Sequence, residues 1–512
     1  MADLPSRSRS PGFQRSETSS AELHIYPQET DPVLSLRSPD AGKELLFEGR
    51  RRYDELPSLI GISTSKSMGA PSGSWTALVK GGKADLRDLI ADDAWVDIHF
   101  SRHNRRYFTM RGSVDEIQRT QSASGDGATT VEYVITGRDF GKIYELTPVW
   151  FNKYVDSDSP PENVGGAASM RVFSTVSFSG TVDGMVRVYL QEFLQELSGY
   201  GRANWQFPAS MPGVLQSDRS FYANVGWDPL SFTNDPPRIT VPNLSDPNGA
   251  NVWAMAQEWS DPAFCELFAD LSDGDFNNGS DQLSDTSATP VVFLRDRPFP
   301  TVELGLDSPW FTLPLVDLPR EDVVEDELTR GGAERFNAFF VSPQVLQEYM
   351  GNSAIEVTAP LWDERDMREH GFRRFDINSK YQLDVRKVGQ AQLDDTLLTL
   401  TKAQRERVRD WYCLNPYLWS GSISCGRGVL EARIGRRVRI PGISPSEDFT
   451  GYIEAVSHNW RFGQGIRTSL GVTRGWYGTD DEYMRALETV AARYGGNRQG
   501  DAIAVAGSGG LA

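Results

Sequence analysis

Any metal or acid–base chemistry would depend first on the five histidines, which are His24, His99, His103, His370 and His458. His99 and His103 would share one face of a helix, a spacing that zinc sites use. However, the alternation from Trp95 to Phe100 predicts a strand that runs into a hairpin, so the two rings do not converge. His458 lies in another alternating segment, two residues before Trp460, where a packed and hydrogen-bonded ring is expected. The histidines therefore predict neither a metal site nor a catalytic residue.

The three cysteines offer no stronger chemistry. Cys265, Cys413 and Cys425 form no Cys-x-x-Cys pair and have no histidine at ligand spacing. An odd and sparse set predicts reduced core residues in a protein assembled in the cytosol. A bridge between Cys413 and Cys425 stays open at this point, because a sequence cannot show it.

The acidic residues suggest two further kinds of site. The run Asp273-x-Asp275-x-Asn277 resembles the start of a calcium loop, but Asn278 stands where the sharp turn wants glycine and Ser284 where a bidentate glutamate is needed. A hydrolase could use two of the 70 Asp and Glu residues, although nothing marks a particular pair. No nucleophile elbow and no phosphate-binding loop occurs in the sequence. We therefore predict no catalytic, cofactor-binding or metal-binding residue, no cofactor and no enzymatic activity.

Size and charge restrict the protein class. A chain of 512 residues predicts about three domains. The net charge of −18 argues against a nucleic-acid binder, which needs a cationic surface to displace the counterions of phosphate. No apolar run approaches the roughly 20 residues of a membrane span, so no membrane association is expected. Residues 1–20 are rich in Ser, Arg and Pro and predict a flexible arm.

Short alternating segments joined by glycine-rich turns occur in two parts of the chain, within 59–139 and within 419–475. Such segments are typical of small antiparallel barrels or sandwiches. Between them, helical pieces are predicted over Asn251 to Leu271 and a strand over Pro290 to Arg295. An amphipathic helix is predicted over Val182 to Leu197. Capping boxes at Thr401 and Thr479 predict two further helices.

Two groups of motifs resemble one known family. The first comprises Gly61-Ile62-Ser63-Thr64-Ser65-Lys66, Trp95-Val96-Asp97-Ile98, Met110-Arg111-Gly112-Ser113-Val114-Asp115 and Val134-Ile135-Thr136-Gly137-Arg138-Asp139. The second comprises Gly435-Arg436-Arg437-Val438-Arg439-Ile440, the segment from Gly451 to Trp460, and Thr473-Arg474-Gly475. Both groups resemble the baseplate hub proteins of contractile phage tails, the late control D-like family. Together they cover about half of the chain, and the central region shows no such resemblance.

The resemblance implies a β-rich α+β fold with two small antiparallel tube-type β-barrels related by duplication and an inserted α+β region. The expected division is a flexible arm 1–44, a first barrel 45–155, an inserted α+β region 156–330, a mixed linking region 331–400, a second barrel 401–478, and a C-terminal helix and tail 479–512. We expect Trp75, Trp95, Trp460 and Trp476 to anchor the core or a seam. Gly112, Gly137, Gly451 and Gly475 are expected at turns or strand ends.

The resemblance also implies a function. Three copies would form a pseudo-sixfold ring that joins the tail tube to the central spike, in the baseplate of a virion tail assembled in the host cytoplasm. Expected partners are the chain itself as a homotrimer, the tail spike protein, the tail tube protein, and the baseplate wedge and tape-measure proteins. Genome DNA would pass through the bore without specific binding, past carboxylates that face the channel. A tail-associated cell-wall or polysaccharide hydrolase, a carbohydrate-binding accessory protein, and the hub of a related secretion or injection machine stay open as alternatives.

Overall fold

The structure is a computed structural model, and it describes residues 19–26, 44–49, 58–81, 85–103, 105–123, 129–148, 178–187, 190–191, 206–230, 238–241, 251–272, 289–343, 360–379, 381–382 and 402–495. The strands are β1 (Ser20–Tyr26), β2 (Leu45–Glu48), β3 (Ser58–Ser67), β4 (Ser74–Lys80), β5 (Trp95–Arg102), β6 (Arg105–Ala123), β7 (Thr129–Asp139), β8 (Phe178–Thr181), β9 (Gly226–Leu230), β10 (Arg238–Val241), β11 (Cys265–Ser272), β12 (Thr289–Asp296), β13 (Leu315–Asp317), β14 (Val323–Thr329), β15 (Ala338–Pro343), β16 (Leu361–Trp362), β17 (Arg374–Ser379), β18 (Tyr381–Gln382), β19 (Trp419–Cys425), β20 (Arg437–Ile440), β21 (Phe449–Arg461) and β22 (Gly465–Tyr477). The helices are α1 (Lys142–Leu146), α2 (Val182–Arg187), α3 (Phe221–Asn224), α4 (Val252–Trp259), α5 (Pro309–Thr312), α6 (Glu364–His370), α7 (402–412) and α8 (Asp480–Ala491).

One large sheet organises the molecule. It has 13 strands, in the order β14-β19-β22-β21-β3-β4-β7-β6-β5-β1-β2, with β20 beside β21 and β13 beside β20. Neighbouring strands are antiparallel except for the pair β13–β20. The β-rich α+β fold class predicted from the sequence is confirmed by this topology.

The first unit of the sheet consists of β1 to β7. Its strands alternate because one face packs on a core and the other is uncovered, as in β4, where Trp75, Ala77 and Val79 are buried. Strand β5 is buried on both faces, because the central region covers the face that points away from the core of the first unit. Its second edge is paired with β1. Residues 20–26, which lie within the range 1–44 predicted to be a flexible arm, form strand β1, paired between β2 and β5.

The second unit consists of β13, β14 and β19 to β22, followed by α8. Strands β13 and β14 lie within the range 156–330 that is predicted to be a separate insertion, yet both pair with strands of the second unit. The capping box predicted at Thr479 is present, because its Oγ1 accepts a hydrogen bond from the Glu482 amide (3.2 Å) while the Glu482 carboxylate accepts one from the Thr479 amide (2.8 Å). Helix α7 is present over 402–412, and Thr401 lies outside the described residues.

The two units meet along the ladder between β3 and β21, which pairs Ala455–Arg461 with Gly61–Ser67. At the end of this ladder Trp460 leaves its own unit and enters the core of the first one. Its ring is 1% exposed, it belongs to the same buried cluster as Trp75, and its indole nitrogen donates to the Ser19 carbonyl (3.3 Å). The seam is therefore both a backbone ladder and a shared hydrophobic core.

The central region packs on both units. Strands β9, β12 and β11 form a small sheet, and Phe268, Val291 and Phe293 join the buried cluster of the second unit. Arg295 is 3% exposed and donates to the Glu266 carboxylate (3.0 Å) and the Tyr452 hydroxyl (2.6 Å). Glu266 and Arg295 both lie in the small sheet, and the Tyr452 hydroxyl, which also donates to Glu266 (2.7 Å), ties this buried pair to β21.

Other predictions for the central region have mixed outcomes. Helix α4 lies within the predicted helical range Asn251 to Leu271, but residues 265–271 of that range belong to β11, because nearly all of these side chains are buried on both faces of a core strand. The strand predicted over Pro290 to Arg295 is confirmed as β12. Of the helix predicted over Val182 to Leu197, the structure describes α2 and residues 190–191, and the remainder lies outside the described residues. No helix in the described ranges is both long and apolar enough to cross a membrane.

Replacing Trp460 tests the shared core. The Trp460→Ala variant should lower the free energy of unfolding by about 3–5 kcal/mol, because it empties a large buried site. Phe462→Ala is the matched control, since Phe462 follows on the same segment and is 47% exposed, so its cost should stay below about 1 kcal/mol. Chemical denaturation monitored by circular dichroism measures both. Equal effects of the two variants would contradict the role of Trp460 as a seam anchor.

Candidate functional site: the duplicated units and their uncovered face

The two units repeat one arrangement of strands. In the first unit β4, β7, β6 and β5 are neighbours in that order and α1 follows β7. In the second unit β19, β22, β21 and β20 are neighbours in the same order and α8 follows β22. The helices α1 and α8 each bury a tyrosine, Tyr144 and Tyr483. The duplication predicted from the sequence is thus present in the strand order.

A tryptophan opposite a glycine marks the same place in both units. Trp75 on β4 pairs with Gly137 on β7, and Trp419 on β19 pairs with Gly475 on β22. A Cβ at Gly137 would lie 2.7 Å from the Trp75 ring and would also overlap the Ser113 carbonyl oxygen, and a Cβ at Gly475 would lie 2.5 Å from the Phe449 ring. Glycine is required at both positions, because any side chain there would overlap the neighbouring atoms. The sequence indicated Trp75 and both glycines but missed Trp419.

The other two predicted glycines lie at different places in the repeat. Gly112 on β6 pairs with Asp139, two residues beyond Gly137, whereas Gly451 on β21 lies between the pairs Thr450–Trp476 and Tyr452–Thr473. A Cβ at Gly112 would overlap the Arg138 carbonyl oxygen, whereas a Cβ at Gly451 would lie 3.2 Å from the Phe449 ring. The first position therefore excludes a side chain more strictly than the second.

The four predicted tryptophans divide between two cores. Trp75 and Trp460 lie in the core of the first unit. Trp95 lies in the large central core, where its ring centroid is 4.3 Å from that of Phe207 and its nitrogen donates to the Gln206 carbonyl (3.1 Å). Trp476 is partly buried against the same central core. Two of these residues thus hold the central region against the sheet, which spacing along the sequence does not reveal.

Strand β22 has one residue more than β7 at the equivalent place, and Arg474 is that extra residue. It precedes Gly475 with a φ of 54°, at an irregularity in the pairing of β19 with β22, and β7 has no extra residue at this point. Its guanidinium lies 3.8 Å from the centre of the Trp411 ring and donates to the Trp411 carbonyl (2.6 Å). The bulge thereby connects α7 to the second unit.

Among the described residues, nothing covers one face of the large sheet, and many side chains on it are small. Residues directly opposite in a ladder share a face, so the register places one set of residues on this hydroxyl face. Its small members are Ser422, Ser424, Ser469, Gly471, Ala455, Ser457, Ser63, Ser65, Ser67, Ser74, Thr76 and Thr136. The same registers place the larger residues Leu78, Val134, Arg138 and Asn459 on it. The opposite face carries buried residues such as Ile423, Leu470 and Ala77.

Charged side chains occur at the ends of the hydroxyl face and also within it. Glu325 and Glu327 lie on β14, opposite Ser424 and Ser422. Arg461 and Arg467 lie at the ends of β21 and β22, and Lys80 lies at the end of β4 opposite Glu132. Within the face, Arg138 lies opposite Ser74 and Glu116 lies opposite Thr136. The described part of this face therefore presents hydroxyls interspersed with side chains of both charges.

Two of the histidines, His99 and His458, and all three cysteines are buried. Burial lowers the pKa of His458 to about 3, and its Nδ1 lies 2.9 Å from the Thr468 hydroxyl. Burial likewise lowers the pKa of His99 to about 2. All three cysteines are free and buried, and burial raises the pKa of Cys425 to about 12, so this thiol is not a nucleophile at neutral pH.

The other candidate sites offer little chemistry. Within the described ranges no group of three or more His, Cys, Asp or Glu residues could hold a metal ion. The calcium-like run from Asp273 lies outside the described residues. A cleft of about 440 Å³ between the second unit and the central region contains Glu266 and Glu454. Both of these carboxylates already accept hydrogen bonds, the first from Arg295 and the second from Thr473.

Comparison with known proteins gives structural likenesses alone. No protein-family model and no curated protein matches the sequence. The structure is similar to a tail protein from Neisseria meningitidis MC58 (11% identity, 90% of this chain and 98% of that chain, TM-score 0.46). It is similar to a 43 kDa tail protein of prophage MuSo2 from Shewanella oneidensis (12%, 89% and 98%, 0.44). It is also similar to the E. coli c3393 protein, described as a component of the type VI secretion system (8%, 84% and 76%, 0.38).

Substitution of the buried glycine tests the duplicated motif. Gly137→Ala should lower the free energy of unfolding by about 1–3 kcal/mol or more, because the new methyl group would overlap backbone atoms that have no room to move. Gly69→Ala is the control, since nothing lies within 4 Å of its added carbon. Thermal and denaturant unfolding measure both variants. A Gly137→Ala protein as stable as the control would show that the close approach to Trp75 is not required.

The buried His458 predicts a pH dependence with a defined sign. The unfolded chain takes up a proton near the ordinary histidine pKa of about 6.5, whereas folded His458 does so only near 3. Stability is therefore fully present above pH 6.5 and falls as the pH decreases towards 3, with about 2 kcal/mol lost through this group between pH 7.5 and 5. His458→Asn should remove that part of the loss in urea titrations at the two pH values. The exposed His103→Asn variant serves as control, and an unchanged pH dependence in His458→Asn would contradict the prediction.

Proposed function

We propose that this chain is the structural baseplate hub of a contractile phage tail, and that three copies close a pseudo-sixfold ring around a bore. The observation that supports this proposal is the internal seam. In one chain, β3 of the first unit pairs with the C-terminal half of β21 in the second unit. Because the units are duplicates, the same contact can be formed again between copies.

The strands for that second contact have unpaired edges. By the shared strand order, β14 in the second unit is equivalent to β3, and β6 in the first unit is equivalent to β21. Among the described residues no strand pairs with the outer edge of β14, and residues 116–123 of β6 pair only with β7. An unpaired edge readily accepts another strand. Contact of β14 with β6 of the next copy is heterologous, and such contacts build rings when the rotation closes.

In such a ring the hydroxyl face is the proposed wall of the bore. It runs without interruption across the internal seam and would continue across each contact between copies. In this ring Glu325 and Glu327 on β14 and Glu116 on β6 would lie on the wall near each contact between copies, so carboxylates would face the bore as expected from the sequence. A wall of hydroxyls and carboxylates would let DNA pass because it makes no strong contact with phosphate.

The remaining parts of the proposal follow from this geometry. One end of the ring would meet the tail tube protein and the other the spike protein, while the central region and the arm would reach wedge and tape-measure proteins. The protein would be part of the virion tail baseplate, assembled in the host cytoplasm, with no catalytic activity. No observation in the described residues favours a hydrolase or a carbohydrate-binding accessory protein over this function. The hub of a related secretion or injection machine would share the ring and differ in what passes through it.

Cysteine cross-linking tests the ring. Ser63 pairs with Asn459 in the internal seam, and the duplicated registers make Thr329 and Ser122 the equivalent positions. Both side chains are exposed, and directly paired residues in a ladder are close enough for a disulfide. Mild oxidation of the Thr329→Cys/Ser122→Cys double variant should give a covalent trimer on a non-reducing gel, while each single variant stays uncross-linked.

The native cysteines should not interfere with this experiment, and the chain offers a control position. The native cysteines are buried, so they should not react. A double variant of Thr329→Cys with Arg368→Cys, whose second site is exposed on α6, should not cross-link. Native mass measurement should give three times the chain mass. A monomer at every concentration, or cross-linking of the control alone, would show that the proposed ring is wrong.

A further inference from the structure

The loop that joins β20 to β21 holds an apolar side chain in solvent. Ile443 is 100% exposed. The loop is braced, because the Gly442 amide donates to the Asp448 carboxylate (2.8 Å) and the Ile443 amide donates to the Glu447 carboxylate (3.2 Å). A single exposed apolar residue is ordinary on a protein surface. The equivalent loop in the first unit indicates a packing role for this one.

That equivalent loop is the hairpin tip between β5 and β6, and it packs on the second unit. The ring centroid of Phe100 lies 5.9 Å from that of His458, and the Tyr107 hydroxyl donates to the Glu431 carboxylate (2.8 Å). Arg102 donates to the Gly428 carbonyl. The tip of one unit thus rests on the next unit, at the connection between β19 and β20 and beside the C-terminal half of β21.

We propose that the loop 441–448 makes the same contact between copies, with Ile443 packed on the first unit of a second copy of this chain. The receiving surface is the connection between β4 and β5, around Asp85–Ala91, together with residues 116–123 of β6. These segments are equivalent to the surface that holds the hairpin tip within one chain. The inference rests on the proposed ring and adds a side-chain anchor to its strand contact.

The receiving surface carries both signs of charge and offers apolar area. Arg87 and Arg119 are 51% and 32% exposed, and both lie against the Asp85 carboxylate. The aliphatic stems of these arginines provide the apolar contact area that an isoleucine needs. Ile443 would contribute area at the contact.

The experiment compares assembly of three variants. Ile443→Ser should raise the concentration at which half of the chains are assembled by about tenfold or more, as measured by mass photometry or sedimentation. Ile443→Leu should assemble like the wild type, because it keeps the apolar volume. Phe372→Ser is the matched control, since Phe372 is 58% exposed on another part of the surface and its replacement should leave assembly unchanged.

The outcomes separate the two proposals. If the wild type forms trimers and Ile443→Ser does so equally well, the loop contact is wrong while the ring stands. If the wild type never forms trimers, the ring and the loop contact are both wrong. The circular dichroism spectrum and thermal midpoint of Ile443→Ser should equal those of the wild type, because the side chain has no contact within its own chain. A lowered midpoint would overturn the inference by showing an internal role for the residue.

Discussion

The ladder between β3 and β21 is the contact on which the rest of the structure depends. It joins the two units edge to edge and brings Trp460 from the second unit into the core of the first. Without it each unit would have an open edge and an incomplete core, and the hydroxyl face would end at the boundary between them. Because this ladder lies near the middle of the large sheet, the two similar units form one continuous surface.

Duplication has a structural consequence beyond resemblance between halves. A contact made once inside a chain defines the surfaces needed to make it again between chains, because equivalent strands have equivalent edges. Among the residues that the structure describes, no strand pairs with the outer edge of β14 or with the free edge of the C-terminal half of β6, as this logic requires, and the loop around Ile443 is the counterpart of a hairpin tip that is already packed. Closed assemblies avoid the aggregation risk of open edges.

The chemistry of the uncovered face follows from its shape. A broad sheet face in solvent usually carries long charged side chains, which stand away from the backbone. Small hydroxyl residues keep much of this face flat, and charged side chains such as Glu325, Glu327 and Arg138 lie among them. A net charge of −18 for the whole chain does not by itself describe this face, and the expectation that carboxylates face a channel stays a prediction.

The sequence by itself determined the features that arise from local pattern. The alternation in β4 and β5, the capping box at Thr479, and the glycines 137 and 475 were all readable, because each depends on neighbouring residues or on a repeated motif. The placement of β1 within a Ser-rich and Arg-rich beginning, and of β13 and β14 in the second unit, could not be read. These short strands gain their order in part from partners 69 to 122 residues away in the chain. Only the tertiary structure decided that Trp460 serves the other unit and that the serines of five different strands share one face, since both facts depend on strand register across the seam.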